Sequence, residues 1–239
     1  MISMQDSSKG LIVRARVRGE IVTEPGRDLI ESWRSYCGID DLAGFAKAMR
    51  SDDDVAGVIF EIDSDGGDVF RLRHAVDAVA SLSRVKPTLA YIDERALSAA
   101  YWIASQCGQI WAATAYANVG SIGVRYELYD ESERRAKQGV AREVIAEGDG
   151  KALATGAGPI TDADREAVRR RLRPMRAAFV RDVAAGRGMA ESDVLAIGAH
   201  VLPAGEALDA GLIDDIVPAD GLDVTFAERA LGLQTERVA

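Results

Sequence analysis

Ser98 lies where a β-type run from Thr88 to Ile92 gives way to an apolar helix pattern through Tyr101 and Trp102. A hydroxyl at a strand-to-helix turn lies beside backbone N–H groups of the first helical turn that have no helical partner. Such groups can stabilise an oxyanion. Serine is also a preferred helix N-cap, so a capping role alone explains the same position. The stretch by itself leaves a nucleophile and a cap as alternatives.

A nucleophilic serine needs a base, and the usual base is histidine. The chain has two histidines, His74 and His200, and both are interpreted more simply as surface or core-edge residues. The other known solution is a lysine whose amine is kept neutral by desolvation. Lys151 is the candidate, because it stands in a glycine-rich loop between Gly150 and Ala152. The alternative is a solvated loop lysine, the usual state of this side chain.

Two adjacent glycines, Gly66 and Gly67, follow an apolar, β-branched run from Val55 to Ile62. A backbone without Cβ atoms can approach a ligand closely and present its N–H groups. A tight turn explains the pair equally well. The D-G-G-D sequence lacks the G-x-G-x-x-G spacing of dinucleotide-binding sites.

The patterns around these residues predict an α/β fold. The run from Val55 to Ile62 resembles a strand buried on both faces, and the glycine turn after it leads into a helix over 69–82, which gives a βαβ unit. The other predicted strands cover 11–17, 88–92, 109–113, 121–124, 142–146 and 213–217. The other predicted helices cover 40–49, 127–138 and 161–185, the last capped by Thr161.

Length and composition predict a soluble protein with a single domain over 11–218. A flexible segment over 1–10 precedes it and a helical tail over 219–239 follows it. Hydrophobic residues make up 48% and charged residues 28% of the 239 residues, which is ordinary for a globular protein. No apolar run approaches the ~20 residues that span a bilayer. The polar start is too short for a secretory signal, so we expect a cytoplasmic protein without an integral membrane segment.

Charge and cysteine content exclude other classes of function. A net charge of −9 argues against nucleic-acid binding, and we interpret the arginine-rich stretch 169–176 as an exposed helix face. Cys37 and Cys107 have no metal-type spacing, so they are expected to be reduced thiols rather than a disulfide or a zinc site.

Four ordered motifs resemble those of the serine–lysine peptidases typified by signal peptide peptidase A (SppA). The resemblance is strongest to the phage branch that holds prohead protease C, in the ClpP/crotonase-like superfamily. The motifs are I-D-S-D-G-G-D-V (62–69), A-L-S-A-A-Y-W-I-A-S (96–105), V-G-S-I-G-V (119–124) and a lysine loop 53 residues after Ser98. A closing segment, A-L-D-A-G-L-I-D-D-I-V (207–217), is also similar. The resemblance covers 11–217.

The resemblance implies a role for each matching residue. Ser98 would be the nucleophile, Lys151 the general base, and Ser121 a residue that hydrogen-bonds and orients the lysine amine. The implied oxyanion hole contains the N–H of Gly66, with or without that of Gly67, together with the N–H of Ala99.

One position departs from the family pattern. Asp65 stands where the family usually has proline, and a carboxylate there would favour the protonated lysine and weaken it as a base.

The resemblance further implies a ClpP/crotonase-like fold of repeated β-β-α units and a serine endopeptidase that needs no metal or cofactor. Implied substrates are peptides or proteins, such as capsid and scaffold proteins cleaved during phage head assembly. The implied assembly is a homo-oligomeric ring in which serine and lysine meet across a subunit boundary. Two alternatives remain: an acyl-CoA hydratase or isomerase of the same superfamily, and a catalytically inactive assembly protein.

Overall fold

The computed structural model of the chain describes residues 3–7, 10–23, 36–156 and 158–232. The chain divides into two compact units, one formed by Met1–Gly123 with Phe179–Ala239 and the other by Val124–Ala178. Within the described part of the chain, no helix combines the length and the apolar character needed to cross a membrane.

The elements follow one another along the chain as strands and helices in alternation. The strands are β1 (Ser3–Ser7), β2 (Gly10–Val22), β3 (Tyr36–Gly38), β4 (Val55–Gly67), β5 (Thr88–Leu97), β6 (Gln109–Ala112), β7 (Asn118–Gly120), β8 (Val201–Pro203) and β9 (Asp215–Ile216). The helices are α1 (Ile39–Ser51), α2 (Leu72–Ser83), α3 (Ala99–Ala104), α4 (Ser132–Lys137), α5 (Asp162–Arg187), α6 (Glu191–Ile197), α7 (Ala204–Asp209) and α8 (Leu222–Leu231).

The strands of the first unit form one mostly parallel sheet in the order β1-β2-β4-β5-β6-β9. Strand β3 pairs with β2, and β7 pairs with both β5 and β8. Two pairings are antiparallel, β1 with β2 and β7 with β8. Within residues 1–10, which the sequence indicated to be flexible, Ser3–Ser7 therefore forms a strand, and the predicted domain boundaries remain a prediction.

Both faces of the central strands are covered, which explains the uninterrupted apolar run in β4. On one face Phe60 packs edge-on against Phe45 of α1, with ring centroids 6.1 Å apart. On the other face Ile59 joins a buried cluster with Trp111 and with Phe226 of α8. Successive residues of a strand point to opposite faces, so a strand covered on both sides is apolar at every position.

The second unit differs from the prediction in its regular structure. Helix α4 begins at Ser132 rather than near 127, because the Asp130 carboxylate accepts the Ser132 N–H (2.9 Å) and hydroxyl (2.6 Å). The predicted strand over 142–146 is wrong. That segment is exposed along its length and pairs with no strand in the described part of the chain. In the first unit, the predicted strand over 121–124 is replaced by β7, which ends at Gly120.

The arginine-rich stretch lies on α5, where Arg169, Arg170, Arg173 and Arg176 are exposed, as predicted. Both cysteines are buried free thiols. Burial raises the pKa of Cys37 to about 11 and that of Cys107 to about 12, so both thiols are protonated and poor nucleophiles near neutral pH.

Candidate active site

The carboxyl ends of three neighbouring parallel strands bring most of the predicted site residues together. Strand β4 ends in the glycine pair, β5 leads into Ser98, and β7 leads into Ser121. The strands pair in parallel, with Ser64 opposite Ala96 and Leu97 opposite Gly120. Of the predicted site residues, the first unit contains Gly66, Gly67, Ser98, Ala99 and Ser121.

Ser98 precedes α3 in a backbone conformation that serine rarely adopts, with φ 51° and ψ −121°. Its side chain makes no capping hydrogen bond to the helix, so the N-cap interpretation of its hydroxyl is wrong. The backbone is held from both sides: its N–H donates to the Gly120 carbonyl (2.9 Å), and its carbonyl accepts the Trp102 N–H (2.9 Å). Such strain persists only where the surroundings impose it, and it concentrates at functional sites.

Ser121 is strained in the same way, with φ 54°. Its N–H donates to the His200 carbonyl at 2.8 Å, which ties the end of β7 to the residue before β8. His200 thus enters the site through its main chain, while its side chain is exposed. This contact could not be predicted from the sequence, because it depends on the antiparallel pairing of two three-residue strands.

Gly66 lies directly against the nucleophile segment. A Cβ atom added there would stand 2.8 Å from the Ser98 Cβ and 2.9 Å from the Ala99 nitrogen, and φ is 98°. Only glycine fits this approach.

One N–H group of the glycine pair already has a protein partner. The Gly66 N–H donates to the Ser64 hydroxyl at 3.1 Å. The Asp68 N–H, directly after the pair, donates to the Ile21 carbonyl of β2 at 2.8 Å. Because the Gly66 N–H is engaged, Gly67 is the better candidate of the two for an oxyanion donor.

Helix α3 is anchored throughout its length, and all its residues are buried. The Tyr101 hydroxyl donates to the Leu212 carbonyl (2.8 Å), and the Trp102 indole N–H donates to the Asp182 carboxylate (3.0 Å). The Trp102 ring also stacks on Phe179, with centroids 4.5 Å apart. These contacts fix the first turn of α3, which includes the Ala99 N–H.

Lys151 belongs to the second unit, in a turn where its N–H donates to the Gly148 carbonyl at 3.2 Å. Its side chain is exposed. The predicted desolvation of the amine is therefore not provided by the described residues of a single chain.

The Asp65 carboxylate is exposed and lies 3.5 Å from Arg95, which also binds Asp63 at 3.0 Å. Its negative charge is thus partly compensated by a neighbouring guanidinium. The second unit also holds a cavity of about 720 Å³ beside Tyr126, Arg142 and Asp164, and no predicted site residue lines it.

The sheet and the strained serine at the carboxyl end of β5 define a class of protein, an α/β protein with a ClpP/crotonase-like fold. Solved structures agree on the fold. A member of the enoyl-CoA hydratase/isomerase family has a TM-score of 0.53 at 18% identity, covering 98% of this chain and 78% of that chain. A membrane-bound stomatin-specific protease has a TM-score of 0.55 at 15% identity, covering 93% of this chain and 86% of that chain.

The chain belongs to peptidase family S49, whose sequence profile it matches over residues 80–230. It is 27% identical over 210 residues to capsid assembly protease C of Escherichia phage lambda, covering 88% of this chain and 47% of the relative. It is 28% identical over 182 residues to the head-tail preconnector protein GP5 of Enterobacteria phage P21, covering 76% of this chain and 36% of the relative. The chain thus spans about half of the first relative's length and less of the second's. The predicted family is confirmed.

Proposed function

We propose that this protein is a serine endopeptidase in which Ser98 is the nucleophile and Lys151 the general base. The observation that carries the proposal is the strained Ser98 backbone, which leaves the hydroxyl free of any helix-capping bond in a segment that Gly66 approaches closely. A serine that only capped the helix would not require this strained backbone. Membership of a peptidase family supports the same activity.

The proposed chemistry gives each of these groups a role. The Ser98 oxygen attacks the scissile carbonyl carbon while its proton passes to the neutral Lys151 amine. The carbonyl oxygen becomes an oxyanion and accepts the N–H groups of Gly67 and Ala99. When the C–N bond breaks, Lys151 returns the proton to the leaving amine and an acyl group remains on Ser98. A water molecule, deprotonated by Lys151, then attacks the ester carbon. The bond from this carbon to the Ser98 oxygen breaks, Lys151 returns the proton to that oxygen, and the acyl group leaves as a carboxylic acid. Ser121 would hydrogen-bond the lysine amine during these steps.

We propose that Lys151 acts across a subunit boundary in a homo-oligomeric ring. A lysine needs desolvation to serve as a base, and Lys151 is exposed in the single chain. A neighbouring copy would supply the missing cover, and head-to-tail contacts of this kind close into rings when the rotation permits.

The proposed substrates are capsid or scaffold proteins during phage head assembly, in the cytoplasm of the host cell. The relatives that carry phage capsid and head names support this role. The two alternatives stay distinguishable. A hydratase or isomerase would use the fold without Ser98, and an inactive assembly protein would use neither Ser98 nor Lys151.

A fluorophosphonate probe tests the proposed function. The protein should form one covalent adduct, located on Ser98 by peptide mass spectrometry, and Ser98→Ala should form none. A protein that stays unlabelled under conditions in which it is folded and assembled would contradict the proposal.

A further inference from the structure

Ser64 is a buried polar residue to which the catalytic scheme above gives no role. It is 1% exposed. Its hydroxyl donates to the Gly19 carbonyl of β2 at 2.5 Å and accepts the Gly66 N–H at 3.1 Å. The side chain therefore links β2 to the segment that lies against Ser98.

The reason for this link is an interruption in the sheet. The β2–β4 ladder shifts register between Arg18 and Glu20, which pair with Asp63 and Gly66, so β4 contains one residue more than β2 across the shift. A bulge removes ladder partners from backbone groups, and a buried group without a partner is costly. The Ser64 hydroxyl replaces the lost partners with one donated and one accepted hydrogen bond.

The position of the bulge connects it to the chemistry. Gly66 is held by Ser64 on one side and touches the Ser98 and Ala99 backbone on the other, where an added Cβ would stand 2.8 Å from the Ser98 Cβ. Gly67 follows directly, so a shift of Gly66 would move the Gly67 N–H relative to the Ser98 hydroxyl. Oxyanion stabilisation is sensitive to displacements of about 1 Å.

We infer that Ser64 is a positioning residue: its hydroxyl sets the backbone of the glycine pair, and with it the Gly67 N–H, at the distance from Ser98 that an oxyanion hole requires. This role rests on the proposed function of Ser98. It differs from that of the catalytic residues, because Ser64 is buried behind the glycines and touches no substrate.

Thr88, at the end of β5 that lies away from Ser98, provides a matched control. It is also 1% exposed, and its hydroxyl likewise accepts a glycine N–H, from Gly108 at 2.9 Å, and donates to a second oxygen, that of Ser83 at 3.0 Å. Ser64→Ala and Thr88→Val each remove a buried hydroxyl with the same hydrogen-bonding pattern. Both should lower the melting temperature, and only Ser64→Ala should disturb the glycine pair.

The measurement is the rate at which a fluorophosphonate labels Ser98. The rate is followed over a range of probe concentrations, which gives the maximal rate and the half-saturating concentration separately. Every variant is assayed as assembled protein below its melting temperature. Ser64→Ala should lower the maximal rate about tenfold to hundredfold, with a smaller change in half-saturation. Thr88→Val should stay within about twofold of the wild type. Ser64→Thr, which keeps the hydroxyl, should recover most of the rate.

A wild-type rate in Ser64→Ala, or an equal loss in Ser64→Ala and Thr88→Val, would overturn the positioning role while leaving Ser98 as the nucleophile. If Ser64→Ala does not fold, Ser64→Cys keeps the side-chain size with a weaker hydrogen-bonding group, and a wild-type rate in that variant would overturn the role equally. Absence of any wild-type labelling at Ser98 would instead overturn the proposed function, and the role of Ser64 with it.

Discussion

Ser98 and Ser121, at the ends of two neighbouring strands, both have positive φ angles, 51° and 54°. The N–H of each donates to a main-chain carbonyl, that of Ser98 to Gly120 and that of Ser121 to His200. A non-glycine residue in such a conformation costs about 1–3 kcal/mol, which the rest of the fold must offset. The cost is consistent with selection for the position of the hydroxyl rather than for stability.

The strain at Ser98 predicts an unusual order of stabilities. Ser98→Gly should be more stable than Ser98→Ala by about 1 kcal/mol, because glycine adopts φ 51° freely and this outweighs its larger entropy in the unfolded chain. Ser105, at the other end of α3, has an ordinary φ of −64° and is the control. There the glycine variant should be the less stable one. Urea unfolding measures all four variants, and the same order at both positions would argue against strain at Ser98.

Lys151 can act as a base only if its amine loses a proton. Lys151→Arg should therefore be as inactive as Lys151→Ala, since a guanidinium does not deprotonate in proteins. The wild-type rate should rise with pH, because only the neutral amine accepts the Ser98 proton. Lys137→Arg is the control, since Lys137 is an exposed lysine of the same unit. Substantial peptide cleavage by Lys151→Arg would reduce Lys151 to a charge or packing role.

At the scale of the elements, the local pattern of apolar residues predicted correctly the strands and helices that have buried faces. The strands β4 and β5 and the helices α1 and α2 are confirmed, because apolar residues at every position or on one stripe reflect the faces that they cover. The predictions fail where the structure of a segment depends on a neighbouring strand or on a side-chain hydrogen bond. Residues 142–146 have strand-like composition but no neighbouring strand among the described residues, and Asp130 delays the start of α4.

The sequence predicted which strand ends meet at the candidate site but not the geometry there. The motifs brought Ser98, Ser121 and the glycine pair together correctly in the first unit. The role of Ser64 depends on a register shift between distant strands, which no local pattern records. The same shift brings the Gly66 N–H to the Ser64 hydroxyl, a contact that the sequence did not predict, and the choice of donor within the glycine pair stays a prediction.

The contact between β4 and the nucleophile segment predicts the effect of adding a methyl group. Gly66→Ala should lose most peptidase activity and stability, since the new Cβ would stand 2.8 Å from the Leu97 carbonyl oxygen at a φ of 98°. Gly44, in α1, has open space where its Cβ atom would be added. Gly44→Ala should retain activity and gain about 0.5–1 kcal/mol, because alanine favours the helix. Thermal unfolding and peptide cleavage measure both, and an active, stable Gly66→Ala would contradict the close approach.

At the scale of the whole molecule, the proposed ring predicts that two inactive variants restore each other. Ser98→Ala mixed with Lys151→Ala should regain activity under conditions that allow subunit exchange. In an equal random mixture about a quarter of the junctions pair an intact serine with an intact lysine. A mixture that exchanges subunits, as shown by mass labelling, yet stays inactive would rule out the shared site and leave the serine–lysine chemistry in place.

The most direct test of the central claim is peptide cleavage by Ser98→Ala, assayed on a quenched fluorescent peptide that the wild type cleaves. Alanine replaces serine at a turn with little change in volume, so the variant should fold and assemble like the wild type. Its rate should fall by about three orders of magnitude or more, while the control Ser105→Ala, assayed below its melting temperature, stays near the wild-type rate. Cleavage by assembled Ser98→Ala at a rate comparable to the wild type would contradict the account.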